Sequence, residues 1–227
     1  MTLKRMQKGL AILVGAFVFY TAATGPFEGL IQRAIFLALV ATLGFALYPL
    51  GAGKSWRPVG VLIDLALSAI AIFACGYVVW NYDKIMTTLP WATTLDKALT
   101  AGLVLAVLEL GRRTVGLIFP VLVLIGLGYA LFGNLLPGPL HHRGFDSAFV
   151  TETIFLGDLG IWGMLTGVAA TVIASFVLFG ALLLHTGGGQ AFMDLAMRLG
   201  GRQPGGAAKI ATIASGLFGM ISGSAVA

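Results

Sequence analysis

The chain has little charge and almost no cysteine. Only 10% of its 227 residues are charged, where a soluble domain usually carries about a quarter. The one cysteine, Cys75, excludes an intrachain disulfide framework and a cysteine-rich metal site. The sequence also lacks a Gly-rich phosphate-binding motif followed by Lys and Ser or Thr, which argues against nucleotide-driven activity within this chain.

Apolar residues are correspondingly abundant. They make up 58% of the chain, whose mean hydropathy is +0.97, and they lie in runs too long and too numerous for one soluble core. The net charge of +5 is scattered over short loops rather than gathered on one face. This scatter favours orientation in a bilayer over binding of nucleic acid. The composition therefore predicts an all-α membrane protein.

Six segments are long enough to be membrane helices, since a helix needs about 20 apolar residues to cross the hydrocarbon core. The first resembles a signal peptide, but no small-residue cleavage site follows and five more runs come after it, so we expect a retained helix. The six predicted spans are Gly9–Thr24, Ala34–Leu50, Val59–Trp80, Asp96–Leu110, Val115–Phe132 and Ile161–Leu184.

Basic residues alternate between the loops. Ten of the 14 Lys and Arg residues fall on one side of the predicted spans and four on the other. Because cytoplasmic loops are rich in Lys and Arg, the pattern predicts a multi-pass membrane protein with a cytoplasmic N-terminus. The ten are Lys4, Arg5, Lys8, Lys54, Arg57, Arg112, Arg113, Arg198, Arg202 and Lys209.

Two shorter segments mix apolar and polar residues at helical spacing. Ser147–Gly157 is expected to form an interfacial helix on the outer face, and Gln190–Leu199 one on the inner face. After them, Ala207–Ala227 is apolar but rich in Gly and Ser. Such sequence within a bilayer often lines a cavity or an ion site. A small-residue face for helix packing is the alternative.

The residues of this last stretch carry a family resemblance. The run GGAAKIATIASGLFGMISGSAVA, which starts at Gly205, resembles the start of the large permease subunit of tripartite ATP-independent periplasmic (TRAP) transporters. In that family a re-entrant hairpin ends in Ser-Gly-Ser-Ala-Val-Ala. The runs ELGRRTVGLIFPVLVLIGLGYALFG and LFGNLLPGPLHHRGF are similar to the fused form, whose binding proteins are of the TAXI type. The motifs cover roughly residues 100–227, whereas residues 1–99 match by span count and topology alone.

The resemblance implies a domain organisation. Residues 1–114 would be a four-helix region like the small subunit, 115–146 a linking helix and outer loop, and 147–227 the start of the large permease. The family's large subunit continues for many more spans. The sequence is therefore expected to be an N-terminal fragment that stops in the first arm of the hairpin.

The resemblance also implies a location, the bacterial inner membrane, and a function. The function is ion-coupled uptake, typically with sodium, of a small organic anion delivered by a periplasmic binding protein of TAXI type. The expected cation and substrate site is Ser222, Gly223 and Ser224 with backbone from Gly219, and no cofactor is expected. Two alternatives remain, a non-transporting scaffold subunit or decayed fragment, and an intramembrane serine hydrolase. The hydrolase lacks a histidine at membrane depth to serve as its base.

Other polar residues have structural and functional interpretations. Asp64 is a cation ligand, or an edge residue close to Arg57 or an interfacial water. Glu109 is spaced to pair with Arg112 and Arg113 on one helix face. The adjacent pair His141 and His142 lacks a clear third metal ligand. Pro120 is expected to kink the fifth span.

Overall fold

A computed structural model describes residues 2–51, 56–88, 91–201 and 205–222. Every regular element within those ranges is helical, which confirms the all-α class. Two 3₁₀ turns, Gly133–Leu135 and Gly138–Leu140, follow α6. The helices are α1 (Thr2–Thr24), α2 (Gly29–Leu47), α3 (Arg57–Trp80), α4 (Tyr82–Thr87), α5 (Thr94–Thr114), α6 (Ile118–Phe132), α7 (Ser147–Phe155), α8 (Met164–Val168), a π-helical segment (Ala169–Ile173), α9 (Ala174–His185), α10 (Gly188–Gly200) and α11 (Gly206–Ser222).

In the described part of the chain, five helices are long and apolar enough to cross a membrane. They match five of the six predicted spans, and the last one joins α8, the π-helical segment and α9. The predicted span Asp96–Leu110 lies within α5, which is not among the five. The five spans are Lys4–Thr24, Gly29–Leu47, Arg57–Trp80, Ile118–Leu135 and Met164–His185.

The position of α5 explains its lower hydropathy. This helix packs against α2, α3, α6 and α7, so much of its surface meets protein rather than lipid. Leu99, Leu103 and Ala106 on α5 are buried in the hydrophobic core. A helix shielded in this way tolerates polar residues that a lipid-facing helix does not. Its charges lie near its two ends, at Asp96, Lys97, Glu109, Arg112 and Arg113.

The chain divides into two compact units. The first contains Met1–Phe17 and Pro26–Gly167, and the second contains Val18–Gly25 and Val168–Ala227. The core of the first unit includes the fully buried side chains of Phe45, Phe155 and Trp162. In the second unit α10 and α11 pack on each other and on α9. The predicted division at residues 114 and 146 concerns family relationship, which compactness does not test, and it stays a prediction.

The two predicted interfacial segments are helices. α7 spans Ser147–Phe155 and α10 spans Gly188–Gly200, close to the predicted bounds. The end of α7 reaches the core of the first unit, where the Phe155 ring stacks on Tyr77 with centroids 6.3 Å apart. α10 follows Gly187, whose φ of 90° is a left-handed conformation that suits glycine.

The prediction of a kink at Pro120 is wrong. The helix begins at Ile118 rather than near Val115, so Pro120 lies in the first turn of α6. The first bond of the helical pattern runs from the Val121 amide to the Leu117 carbonyl. A proline in the first turn therefore removes no helical hydrogen bond.

Candidate functional site

The predicted cation and substrate site falls at the end of α11. Gly219 lies in its last turn, and Ser222 is its final residue. Gly223 and Ser224 lie outside the described residues, and so does the side chain of Ser222. The geometry of the four residues as a ligand set therefore stays a prediction, while the helix that leads to them can be described.

α11 is positioned by its packing on α10. The rings of Phe192 and Phe218 meet edge to face with centroids 5.8 Å apart. At the other end of the pair, a Cβ at Gly206 would lie 3.0 Å from the carbonyl oxygen of Gly200, so the two backbones approach closely there. Small residues at such points let helices pack without a gap. Gly206 thus allows α10 and α11 to meet closely at their connection, whereas a Cβ at Gly216 would meet no atom within 4 Å.

The helix is also continuous through Gly216 and Gly219. A single glycine inside a helix costs only about 1 kcal/mol relative to alanine, so isolated glycines do not break it. Any interruption of the helix would have to lie at or beyond the Ser-Gly-Ser sequence.

A charged cluster lies at the C-terminal end of α5. Arg113 Nη1 donates to Asp64 Oδ1 at 2.6 Å, and Arg113 Nε donates to Glu109 Oε1 at 2.8 Å. Arg112 Nε donates to Glu109 Oε2 at 2.8 Å. The second Asp64 oxygen accepts from the Leu50 amide at 2.9 Å. Two carboxylates thus face two guanidinium groups, and the cluster is electrically balanced.

The cluster confirms one sequence interpretation and revises another. Glu109 pairs with both arginines of its own helix, as its spacing predicts. Asp64 pairs with Arg113 rather than with Arg57. The i, i+3 and i, i+4 spacings are visible in the sequence, whereas the Asp64–Arg113 pair joins residues 49 positions apart. Both carboxylate oxygens of Asp64 accept hydrogen bonds. Asp64 therefore stabilises the fold and is not a free cation ligand.

A pocket of about 320 Å³ lies at the opposite end of α5 and contains a buried carboxylate. Asp96 is 3% exposed, and its Oδ2 accepts from the amide and hydroxyl of Thr93 at 2.9 and 2.6 Å. The bond from the Thr93 amide, together with a bond from the Asp96 amide to Thr93 Oγ1 at 3.2 Å, forms a capping box that starts the helix. Among the described atoms Asp96 Oδ1 has no hydrogen-bond partner. The Thr-x-x-Asp spacing signals the cap, whereas no pattern in the sequence indicates the pocket.

The histidines contact backbone groups. In the outer loop His142 Nδ1 accepts from the Gly144 amide at 3.0 Å, and its Nε2 lies 2.9 Å from the Tyr129 carbonyl oxygen. His141 Nδ1 lies 3.2 Å from the carbonyl oxygen of Leu136. Within the described ranges, no group of three or more His, Cys, Asp or Glu side chains could hold a metal ion. His142 is thus a loop anchor in this structure.

The π-helical segment Ala169–Ile173 is a feature that sequence reasoning missed. It interrupts the last span between α8 and α9. Such segments carry i→i+5 hydrogen bonds and are frequent at functional sites, because they displace side chains from the regular helical positions. No residue type in AATVI signals the change, so it could not have been found from the sequence.

The second half of the chain matches the model of a known protein family. The family model described as Tripartite ATP-independent periplasmic transporter, DctM component, matches residues 103–227. That range begins within α5 and continues through α10, α11 and the Ser-Gly-Ser sequence. No curated protein and no solved structure matches the chain. Because the match covers more than half of the 227 residues, the chain belongs to the DctM component family of tripartite ATP-independent periplasmic transporters, the membrane permeases of those systems.

Proposed function

We propose that this permease takes up a small organic anion together with sodium ions, and that a periplasmic binding protein of TAXI type delivers the anion. The observation that carries the proposal is the family match, which runs through the Ser-Gly-Ser sequence at the end of α11. Membrane transporters commonly bind ions where a helix is interrupted, through hydroxyls and released carbonyls.

The proposed ligands are oxygen atoms. Ser222 and Ser224 would supply hydroxyls, Gly223 would free the backbone, and Gly219 would contribute its carbonyl. In an uninterrupted helix that carbonyl would accept from the amide of Gly223. An interruption at Gly223 would release it toward a cation, and the C-terminal end of α11 would add a favourable partial negative charge.

A scaffold function is the second candidate, and the packing of the first unit favours it. Three of its helices, α2, α3 and α5, share one core made mainly of alanine and leucine side chains. A unit packed in this way suits a static membrane part. Under this second proposal the chain is a non-transporting scaffold subunit.

Sodium itself is the probe that tests the site. The melting temperature of the purified chain is measured in sodium chloride and in choline chloride at equal ionic strength. A ligand that binds only the folded state at a concentration 100 times its Kd stabilises it by about 2.7 kcal/mol. We expect sodium-dependent stabilisation in the unsubstituted chain, and we expect its loss in Ser222→Ala and Ser224→Ala.

Ser175→Ala provides the matched control, because Ser175 lies in α9 of the same unit. It should keep the sodium effect. Sodium dependence that survives both hairpin substitutions would overturn the site assignment. An unsubstituted chain with equal stability in the two salts would overturn sodium coupling through this part of the permease.

A further inference from the structure

A partly open, mostly apolar cavity of about 340 Å³ lies between α1, α2 and α3 in the first unit. All three helices are long and apolar enough to cross a membrane, so the acyl chains of lipids are the molecules that an apolar cavity between them would meet. Its apolar wall includes Met6 and Leu10 from α1, Phe45 from α2, and Val61, Leu65 and Ile72 from α3.

Two separated contacts connect α1 to the rest of the first unit. Near one end Gln7 Nε2 donates to the Ala46 carbonyl at 2.6 Å. Further along, the rings of Phe17 and Phe27 stack with centroids 6.3 Å apart. An unfilled gap would forfeit the dispersion contacts of the side chains that line it. An acyl chain from the surrounding lipid supplies the missing contacts, and it brings no polar group that would have to be buried.

Positive charge gathers at one end of the cavity. Arg57 lines it, and the first turns of α1 carry the exposed residues Lys4, Arg5 and Lys8. Asp64 also lines the cavity, but Arg113 and the Leu50 amide occupy its two oxygens. Among the described residues, the ion pairs use Arg112 and Arg113 and none of these four cations. Arg57 is thus a cation of the cavity wall that forms no ion pair within the described residues, and Lys4, Arg5 and Lys8 lie close to Met6 of the wall in the first turns of α1.

We propose that this cavity binds one anionic phospholipid. An acyl chain lies along the apolar wall between α1 and α3, and the phosphate group contacts Arg57 within reach of the basic first turns of α1. The acyl chain of a zwitterionic lipid would also pack on the apolar wall, but its headgroup would not neutralise the charge of Arg57. The site therefore selects lipids by headgroup charge. The bound lipid fixes α1 to the rest of the first unit.

Native mass spectrometry of the delipidated full chain tests this, with phosphatidylglycerol or phosphatidylcholine added back. We expect one tightly held phosphatidylglycerol and weaker retention of phosphatidylcholine. Arg57→Gln should lower phosphatidylglycerol affinity about fivefold, the effect of one basic residue near an anionic surface. Arg57→Lys should restore most of it. Arg143→Gln removes a charge from an exposed position elsewhere and should change nothing.

A second pair of variants tests the acyl position. Ala69 lines the cavity, so Ala69→Phe should fill it and abolish tight retention of both lipids. Ala66 is also exposed on α3 but is not part of the cavity wall, so Ala66→Phe should retain the lipid. If Ala69→Phe does not fold, the Arg57 series decides.

Three results would overturn the proposal. They are equal retention of the two lipids, a lipid that remains bound in Ala69→Phe, or a lipid-free dimer that Ala69→Phe disrupts. The last result would assign the cavity to a second copy of the chain.

Discussion

Arg113 joins three segments of the first unit through one side chain. Its guanidinium bonds to Asp64 on α3, to the Tyr48 carbonyl after α2 at 3.0 Å, and to Glu109 one turn earlier on α5. It also lies over the Phe45 ring, with Cζ 5.1 Å from the ring centroid. This hub contains one pair, Arg113 with Asp64, that is worth more than a surface ion pair, because both side chains are largely shielded from water.

Removal of this hub is expected to destabilise the protein strongly. The side chains of Arg113 and Asp64 are 6% and 12% exposed, and Arg113→Gln would leave Asp64 without its counter-charge. Breaking a buried pair in this way costs about 3–5 kcal/mol. The free energy of unfolding in mixed micelles measures the loss.

The neighbouring arginine offers the control. Arg112 bonds to the same Glu109, but its side chain is 44% exposed, and an exposed pair is worth about 0–1 kcal/mol. Arg112→Gln should therefore be nearly neutral. Equal losses for the two substitutions would show that the cluster is not a shielded hub.

At the scale of helices, a glycine allows the start of α3 to lie close to the segment that follows α2. A Cβ at Gly60, in the first turn of α3, would collide with the backbone carbonyl oxygen of Leu50 after α2. Backbone atoms cannot yield as a flexible side chain can, so the two segments would have to separate. The Leu50 amide is also the donor to Asp64, and the displacement would therefore disturb the charged cluster.

Gly60→Ala should accordingly destabilise the protein by about 1–3 kcal/mol, the usual cost of overpacking. Gly76 lies in the same helix, and a Cβ at that position would have no neighbouring atom within 4 Å. Gly76→Ala should be neutral or stabilise the helix by up to about 1 kcal/mol. Thermal unfolding of both variants in one detergent provides the comparison. A stable Gly60→Ala protein would show that the approach of α2 and α3 is not tight.

The sequence predicted which segments form helices better than it predicted where each helix begins and ends. Each of the six apolar runs and both amphipathic segments forms a helix, because an apolar run of this length leaves the backbone few other ways to bond in lipid. The start of α6 was misplaced, because Val115–Leu117 are as apolar as the helix that follows. The π-helical segment depends on packing and has no sequence signal.

At the scale of the whole molecule, α5 sets the number of times that the chain crosses the membrane. Six spans were predicted, and five described helices meet the length and composition of a span. α5 decides between these counts, because a crossing by α5 sets the side of everything after it. We expect α5 to cross, with its charged ends at the two faces.

Thiol labelling tests this crossing directly. Cys75, the single cysteine of the sequence, is 1% exposed within α3, so the unsubstituted chain should stay unlabelled by an impermeant maleimide. Thr88→Cys places a thiol at an exposed position before α5, and Thr114→Cys places one at the exposed last residue of α5. In intact cells Thr88→Cys should be labelled, and Thr114→Cys should be labelled only after permeabilisation.

Each other outcome has a defined meaning. Labelling of both thiols from one side would show that α5 does not cross. The reverse pattern, with only Thr114→Cys labelled in intact cells, would place the N-terminus outside the cytoplasm and contradict the charge-based orientation.

The amino-acid sequence by itself determined the membrane class, the positions of the apolar helices and the family. These properties are local: the length of an apolar run and the motif Ser-Gly-Ser-Ala-Val-Ala can be read without knowing which residues meet. Only the tertiary structure decided which helix faces pack together. It placed Arg113 against Asp64, put α5 in the core of the first unit and opened the cavity beside α1. A helix that is apolar on all sides does not indicate in its sequence which face its neighbours will cover.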